Sequence, residues 1–236
     1  MSGKFILLGS VLLGASILYT RSQIQATASP PGDPSPATGM PNITINAARL
    51  QASVVFRGAQ FKATDCAMVE GCINGSGKRN LMKFDVQTPN VSTTDLILGS
   101  PADNPAFSFS PCHGHYHLLG YAIYDLLNLN ATPVLVNGVS VVGHKQAFCL
   151  EDYEPWTSNS GPAKYTCSYQ GISAGWSDTY GSYLDCQWID VTGVPPGKYL
   201  LRVTINGGLN GPHVFGESDY ADNVATVPVT IPKRFQ

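Results

Sequence analysis

Tyr199, Leu201, Val203 and Ile205 alternate with Leu200, Arg202 and Thr204 behind a Pro195-Pro196-Gly197 turn, and residues 224–231 alternate again. A period of two sends successive side chains to opposite faces, so this stretch reads as a strand pair of the kind that closes an immunoglobulin-like sandwich. Short β-rich runs precede it at residues 52–56, 81–86, 96–98, 119–127, 134–142 and 187–191, separated by Gly, Pro, Asn or Asp clusters. Charged residues make up only 13% of the chain, too few to solvate the outer faces of a helix bundle, while 24 glycines and 17 prolines supply turns. The expected fold is all-β: a disulfide-stapled, immunoglobulin-like β-sandwich with long irregular loops.

Residues 5–19 form an apolar run after Lys4, and Ala26-Thr27-Ala28 offers a small-residue cleavage site. Residues 1–28 therefore read as a signal peptide, cleaved after Ala28. Arg21 beyond the run supplies the alternative of an uncleaved membrane anchor. The Pro-, Ser- and Gly-rich residues 29–42 read as an extended linker, and 43–236 as one domain. Six cysteines (Cys66, Cys72, Cys112, Cys149, Cys167 and Cys186) all follow the export signal, without CxxC or zinc-ribbon spacing. Their even number suits three disulfides in an oxidising compartment, so the protein is expected to be secreted. The net charge of −2, with no block of Lys/Arg, lacks the electrostatic footprint of nucleic-acid binding.

Three of the five histidines fall within Cys112-His113-Gly114-His115-Tyr116-His117. Positions i, i+2 and i+4 share a face in an extended strand, whereas on a helix the middle one would point away. In a flat strand the outer Cα atoms would lie ~13 Å apart, about the limit for two imidazoles on one ion, so the strand is expected to bend toward a metal, with Gly114 placed to allow it. Three neutral imidazoles suit Cu(II) or Zn(II), and the first-row affinity order favours copper where both are available.

The run Cys112 to His117 followed by Tyr124-Asp125-Leu126-Leu127 resembles the copper-binding region of the lysyl oxidases. Further similar elements come in the same order: Gly143-His144-Lys145-Gln146-Ala147-Phe148-Cys149-Leu150-Glu151-Asp152, Asp178-Thr179-Tyr180-Gly181, Asp185-Cys186-Gln187-Trp188-Ile189-Asp190, then Glu217-Ser218-Asp219-Tyr220 and Asn223. The resemblance covers about residues 66–227. It implies copper on His113, His115 and His117, and a lysyl tyrosylquinone cofactor made from Lys145 and Tyr180. It also implies the pairing Cys66 with Cys112, Cys72 with Cys186 and Cys149 with Cys167.

The implied activity is oxidative deamination of primary amines, including lysine side chains of extracellular proteins, to aldehydes with molecular oxygen as oxidant and ammonia and peroxide as products. A base must take a proton from the carbon beside the substrate amine; Asp178, two residues before Tyr180, is nominated, with His144 as its rival. Tyr180 is expected on a turn-rich loop able to move before a cross-link fixes it. The vertebrate members carry further cysteine pairs that this chain lacks, and Phe109-Ser110-Pro111 stands where they have Trp and an additional His. The resemblance therefore speaks to cofactor chemistry more than to a collagen or elastin substrate. A competing reading is a non-catalytic extracellular copper- or zinc-binding β-sandwich, which would need neither Lys145 nor Tyr180.

Overall fold

The computed structural model describes residues 39–233 apart from 148 and 209, with backbone alone at 144, 146 and 147. The signal or anchor expected over 1–28, and most of the linker, lie outside the described residues. No helix among the described residues is long and apolar enough to cross a membrane.

Two short helices precede or interrupt the first strands: α1 (Ala47–Ala52), β1 (Val55–Phe61), α2 (Cys66–Val69), β2 (Gly77–Lys83) and β3 (Val86–Pro89). There follow β4 (Leu96–Gly99), β5 (Phe107–Ser110), β6 (His115–Leu127), β7 (Leu135–Val136), β8 (Val139–Ser140) and β9 (Val142–Ala147). The chain continues through β10 (Glu154–Pro155), β11 (Gln170–Ile172), β12 (Trp176–Tyr180), β13 (Trp188–Asp190), β14 (Gly197–Ile205) and β15 (Val224–Ile231). The fold is all-β.

Strands β15, β14, β6 and β5 lie side by side in one sheet, and β9 joins it by pairing with β6. Buried and exposed residues alternate along all of β15, so the sheet has one wet face and one dry one. Pro228 is tolerated because β15 is an edge strand, whose outward positions need no ladder donor. Smaller sheets, β1–β2–β13, β10–β12–β3 and β11–β4, share its core: Met82, Phe84, Val86, Ile172 and Ile189 cluster with Tyr121, Tyr124, Leu201, Val203 and Ile205. Each such side chain, removed from water, stabilises the fold by about 1.5–3 kcal/mol before conformational entropy is set against it.

Three disulfides close the structure: Cys66–Cys112 with Cα atoms 5.7 Å apart, Cys72–Cys186 at 5.3 Å and Cys149–Cys167 at 4.6 Å. The first ties α2 to the hairpin that leads into β6. The second and third anchor the segments on either side of β12.

Three of the expected strand runs differ from what is observed. Residues 52–56 do not form one strand, because α1 occupies Ala47–Ala52 with the Asn46 side chain accepting from the Arg49 N–H at 3.1 Å as an N-cap. The run 81–86 is divided at Phe84-Asp85, where the chain leaves the β1–β2–β13 sheet for the β10–β12–β3 sheet. The run 134–142 contains a tight hairpin, β7 to β8, whose Asn137-Gly138 turn takes φ of 51° and 79°.

Candidate metal and cofactor site

Strand β5 pairs with β6 in a register that sets Ser110 opposite His115 and Ser108 opposite His117. The four residues Pro111-Cys112-His113-Gly114 form the turn between them, closed by the Gly114 N–H donating to the Ser110 carbonyl at 2.8 Å. His115 and His117 thus lie on one face of a strand as expected, but His113 lies in the turn. The three do not share a strand bent at Gly114. Gly114, with φ of 71°, shapes the turn instead, and β6 shifts register between Leu118 and Ala122, around Gly120 at φ 70°.

The three rings gather, with centroids 4.9–5.5 Å apart. His115 Nε2 and His117 Nε2 approach to 3.0 Å, while His113 turns its Nε2 to Glu70 Oε2 at 3.0 Å. Two imidazole nitrogens at that spacing fit one ion bonded at ~2.0–2.1 Å to each. Burial, helped by the neighbouring His117 and His113, pushes the pKa of His115 down to about 4, which keeps it a neutral donor. Among the described residues, two groups of three have ligand atoms all within 4.8 Å of one another, Glu70 with Cys72 and Cys186, and Glu151 with Cys149 and Cys167; the three histidines are not such a group, their Nε2 pair of His115 and His117 alone standing at 3.0 Å. The sulfurs of those two groups are tied in disulfides and offer no thiolate. The histidines are the donor set that suits copper or zinc.

Lys145 sits on β9 opposite Ala122 of β6, so the ladder that carries the histidines also carries the lysine. Gly143 lets β9 approach β13: a Cβ there would stand 2.5 Å from the Trp188 carbonyl oxygen. Lys145 Nζ lies 5.5 Å from the centroid of the Tyr180 ring and donates to the Asp185 carbonyl at 3.0 Å. Burial brings its pKa down to about 8, although Asp185, Glu70 and Asp178 pull it back toward the charged form.

Tyr180 closes β12 rather than riding on a free loop, since β12 pairs with β3 from Ser177↔Pro89 to Tyr180↔Val86. It is 2% exposed, and its hydroxyl donates to the Cys149 carbonyl at 3.5 Å. Asp178, on the same strand, is also buried; its Oδ1 accepts from the Thr179 N–H at 2.7 Å, and its Oδ2 has no hydrogen-bond partner among the described residues. Burial pushes its carboxyl well above the usual carboxylate range. Burial and the Asp178 charge do the same to the Tyr180 phenol. The side chain of His144 lies outside the described residues.

A cavity of about 340 Å³ is lined by His113, His115, His117, Lys145, Asp178 and Tyr180 together with Glu70, Glu151, Tyr153, Tyr183 and Asp185. Glu70 was not legible as a site residue. The one signal for it was its place between Cys66 and Cys72, since a Cys66–Cys112 bond brings that segment to His113.

A family model described as lysyl oxidase matches residues 41–234. The chain belongs to the lysyl oxidase family. Lysyl oxidase homolog 2 of Homo sapiens is 33% identical over 244 residues, covering 94% of this chain and 30% of that protein. Lysyl oxidase homolog 2 of Bos taurus is 36% identical over 197 residues, 78% of this chain and 24% of that protein. Protein-lysine 6-oxidase of Homo sapiens is 33% identical over 196 residues, 79% of this chain and 44% of that protein. The chain thus spans less than half the length of these lysyl oxidase relatives, and its family is one of amine oxidases for which copper and a quinone cofactor are typical.

Proposed function

We propose that this chain is an exported copper amine oxidase, with 43–236 as its catalytic domain, that converts primary amines to aldehydes with release of ammonia and hydrogen peroxide. Lysine side chains of extracellular proteins and related amines are the substrates in this reading. One contact carries it: Lys145 Nζ stands 5.5 Å from the Tyr180 ring in the cavity that the three histidines also line. A metal carrier would need neither residue there.

In this reading His113, His115 and His117 hold copper, and Lys145 with Tyr180 becomes lysyl tyrosylquinone. Copper and the quinone would supply one-electron redox chemistry and an electrophilic carbonyl, which no unmodified side chain offers. The chain's own residues do the rest. With its pKa lowered from 10.5 to about 8, Lys145 is neutral some 300-fold more often at pH 7 than an exposed lysine. Its one hydrogen bond among the described residues goes to a neutral carbonyl, so turning toward the ring breaks no ion pair there. Asp178 Oδ2 is the proposed acceptor of the proton from the carbon next to the substrate amine, and its raised pKa makes it a stronger base once ionised. The Cys72–Cys186 and Cys149–Cys167 bridges and Leu184 wall the cavity and limit water near the reacting groups.

Copper-loaded protein given a primary amine under air should release peroxide in proportion to the amine and react with a hydrazine at a protein carbonyl. Copper-loaded, folded protein that does neither would overturn the oxidase reading and leave a metal-binding sandwich.

A further inference from the structure

Glu70 stands directly after α2 and has no step in the proposed reaction, yet it faces two of the three histidines. Its Oε2 meets His113 Nε2 at 3.0 Å, and its Oε1 faces His117 Nδ1 at 3.8 Å. The carboxylate is itself held. Ser110 Oγ donates to Oε1 at 2.7 Å, the same Ser110 Oγ accepts from the His113 N–H at 3.3 Å, and the Cys66–Cys112 disulfide ties the helix before Glu70 to the turn that carries His113. Glu70 is thus built into the hairpin, not hung on it by one flexible contact.

Resting on the copper reading above, we propose that Glu70 is the positioning residue of the metal centre, selecting the tautomers of His113 and His117 and with them the nitrogens left for the ion. A carboxylate only accepts hydrogen bonds, so the ring nitrogen facing it must carry the proton. At His113 that nitrogen is Nε2, which leaves Nδ1 as the donor to a metal. At His117 the carboxylate faces Nδ1 across an ion-pair distance and favours the proton there, which leaves Nε2, the atom already 3.0 Å from His115 Nε2. The assignment is specific: one histidine ligates through Nδ1 and another through Nε2. Such unlike use of the rings follows from their places in the chain, since His113 sits in a turn and approaches from a different direction than the two on β6.

The test is copper affinity by chelator competition, with the copper electron paramagnetic resonance spectrum, on the disulfide-intact protein and its Glu70→Ala and Glu70→Gln variants. Loss of an outer partner to a ligating histidine typically weakens metal binding about 10–100-fold, which is the loss expected for Glu70→Ala, with a changed spectrum. Glu70→Gln retains a carbonyl that can accept from His113 and should stay within a few-fold of the unsubstituted protein. Unchanged affinity and spectrum in Glu70→Ala would overturn the proposal, as would a loss in Glu70→Gln equal to that in Glu70→Ala. If Glu70→Ala does not fold, Ser110→Ala carries the test: it removes the hydroxyl that donates to Glu70 Oε1 and should weaken copper binding several-fold, and no change there would overturn the proposal too. Failure of the unsubstituted protein to bind copper would instead sink the copper reading itself.

Discussion

Lys145 must lose its proton before its amine can add to the oxidised Tyr180 ring, so the rate of cross-link formation should track the neutral fraction of that amine. With burial lowering the pKa from 10.5 to about 8, this fraction is ~1% at pH 6, ~9% at pH 7 and ~50% at pH 8. The rate should therefore rise about tenfold from pH 6 to 7, about five- to sixfold from 7 to 8, and level off above 9. A solvent-exposed lysine would keep climbing about tenfold per unit to pH 10. The assay is protein loaded with copper without oxygen and then mixed with aerated buffer at each pH, following quinone absorbance and the yield of joined peptide. A profile flat between pH 6 and 8, or still rising tenfold per unit at pH 10, would refute the argument that burial primes this lysine.

Replacing His115 by Ala should abolish tight copper binding and, with it, quinone formation, as read by metal analysis and absorbance on the same sample. Asp178→Asn should leave copper and quinone in place but lower the turnover of primary amines by about 10²–10⁴-fold, the usual contribution of a general base; turnover within a few-fold of the unsubstituted protein would remove Asp178 from the proposed mechanism. Glu217 accepts from the Ile43 N–H at 2.6 Å and from the Asn206 and Asn223 side-chain amides at 2.6 and 2.8 Å, all buried. Glu217→Ala should cost about 3–5 kcal/mol in urea unfolding by leaving these donors without an acceptor.

Much of the dry sheet was legible because one buried face forces a period of two: residues 199–205 and 223–231 correspond closely to β14 and β15. The strand that carries His115 and His117 was legible from the spacing of the histidines, which share a face only in an extended strand. What failed were places where tertiary partners override the local pattern. The run 81–86 reads as one strand, but Asp85 accepts from the Ser182 N–H and from Arg49, and the chain changes sheets there. The Asp178-Thr179-Tyr180-Gly181 segment reads as turn-rich, yet pairing with β3 extends it and buries Tyr180. His113 joins the cluster from a turn, which spacing alone cannot distinguish from a bent strand. Glu70 has no periodicity to betray it; the Cys66–Cys112 disulfide and contacts with Ser110 and His113 carry it to the site.

The joining of Lys145 to Tyr180 is the central claim, and mass spectrometry of proteolysed protein after exposure to copper and air tests it most directly. A peptide spanning both residues through a side-chain bond should appear in the unsubstituted protein and be absent from Tyr180→Phe, which should still bind copper but release no peroxide with amines. Separate, unmodified peptides bearing Lys145 and Tyr180 in protein that nonetheless oxidises amines, or persistent oxidase activity in Tyr180→Phe, would contradict the account.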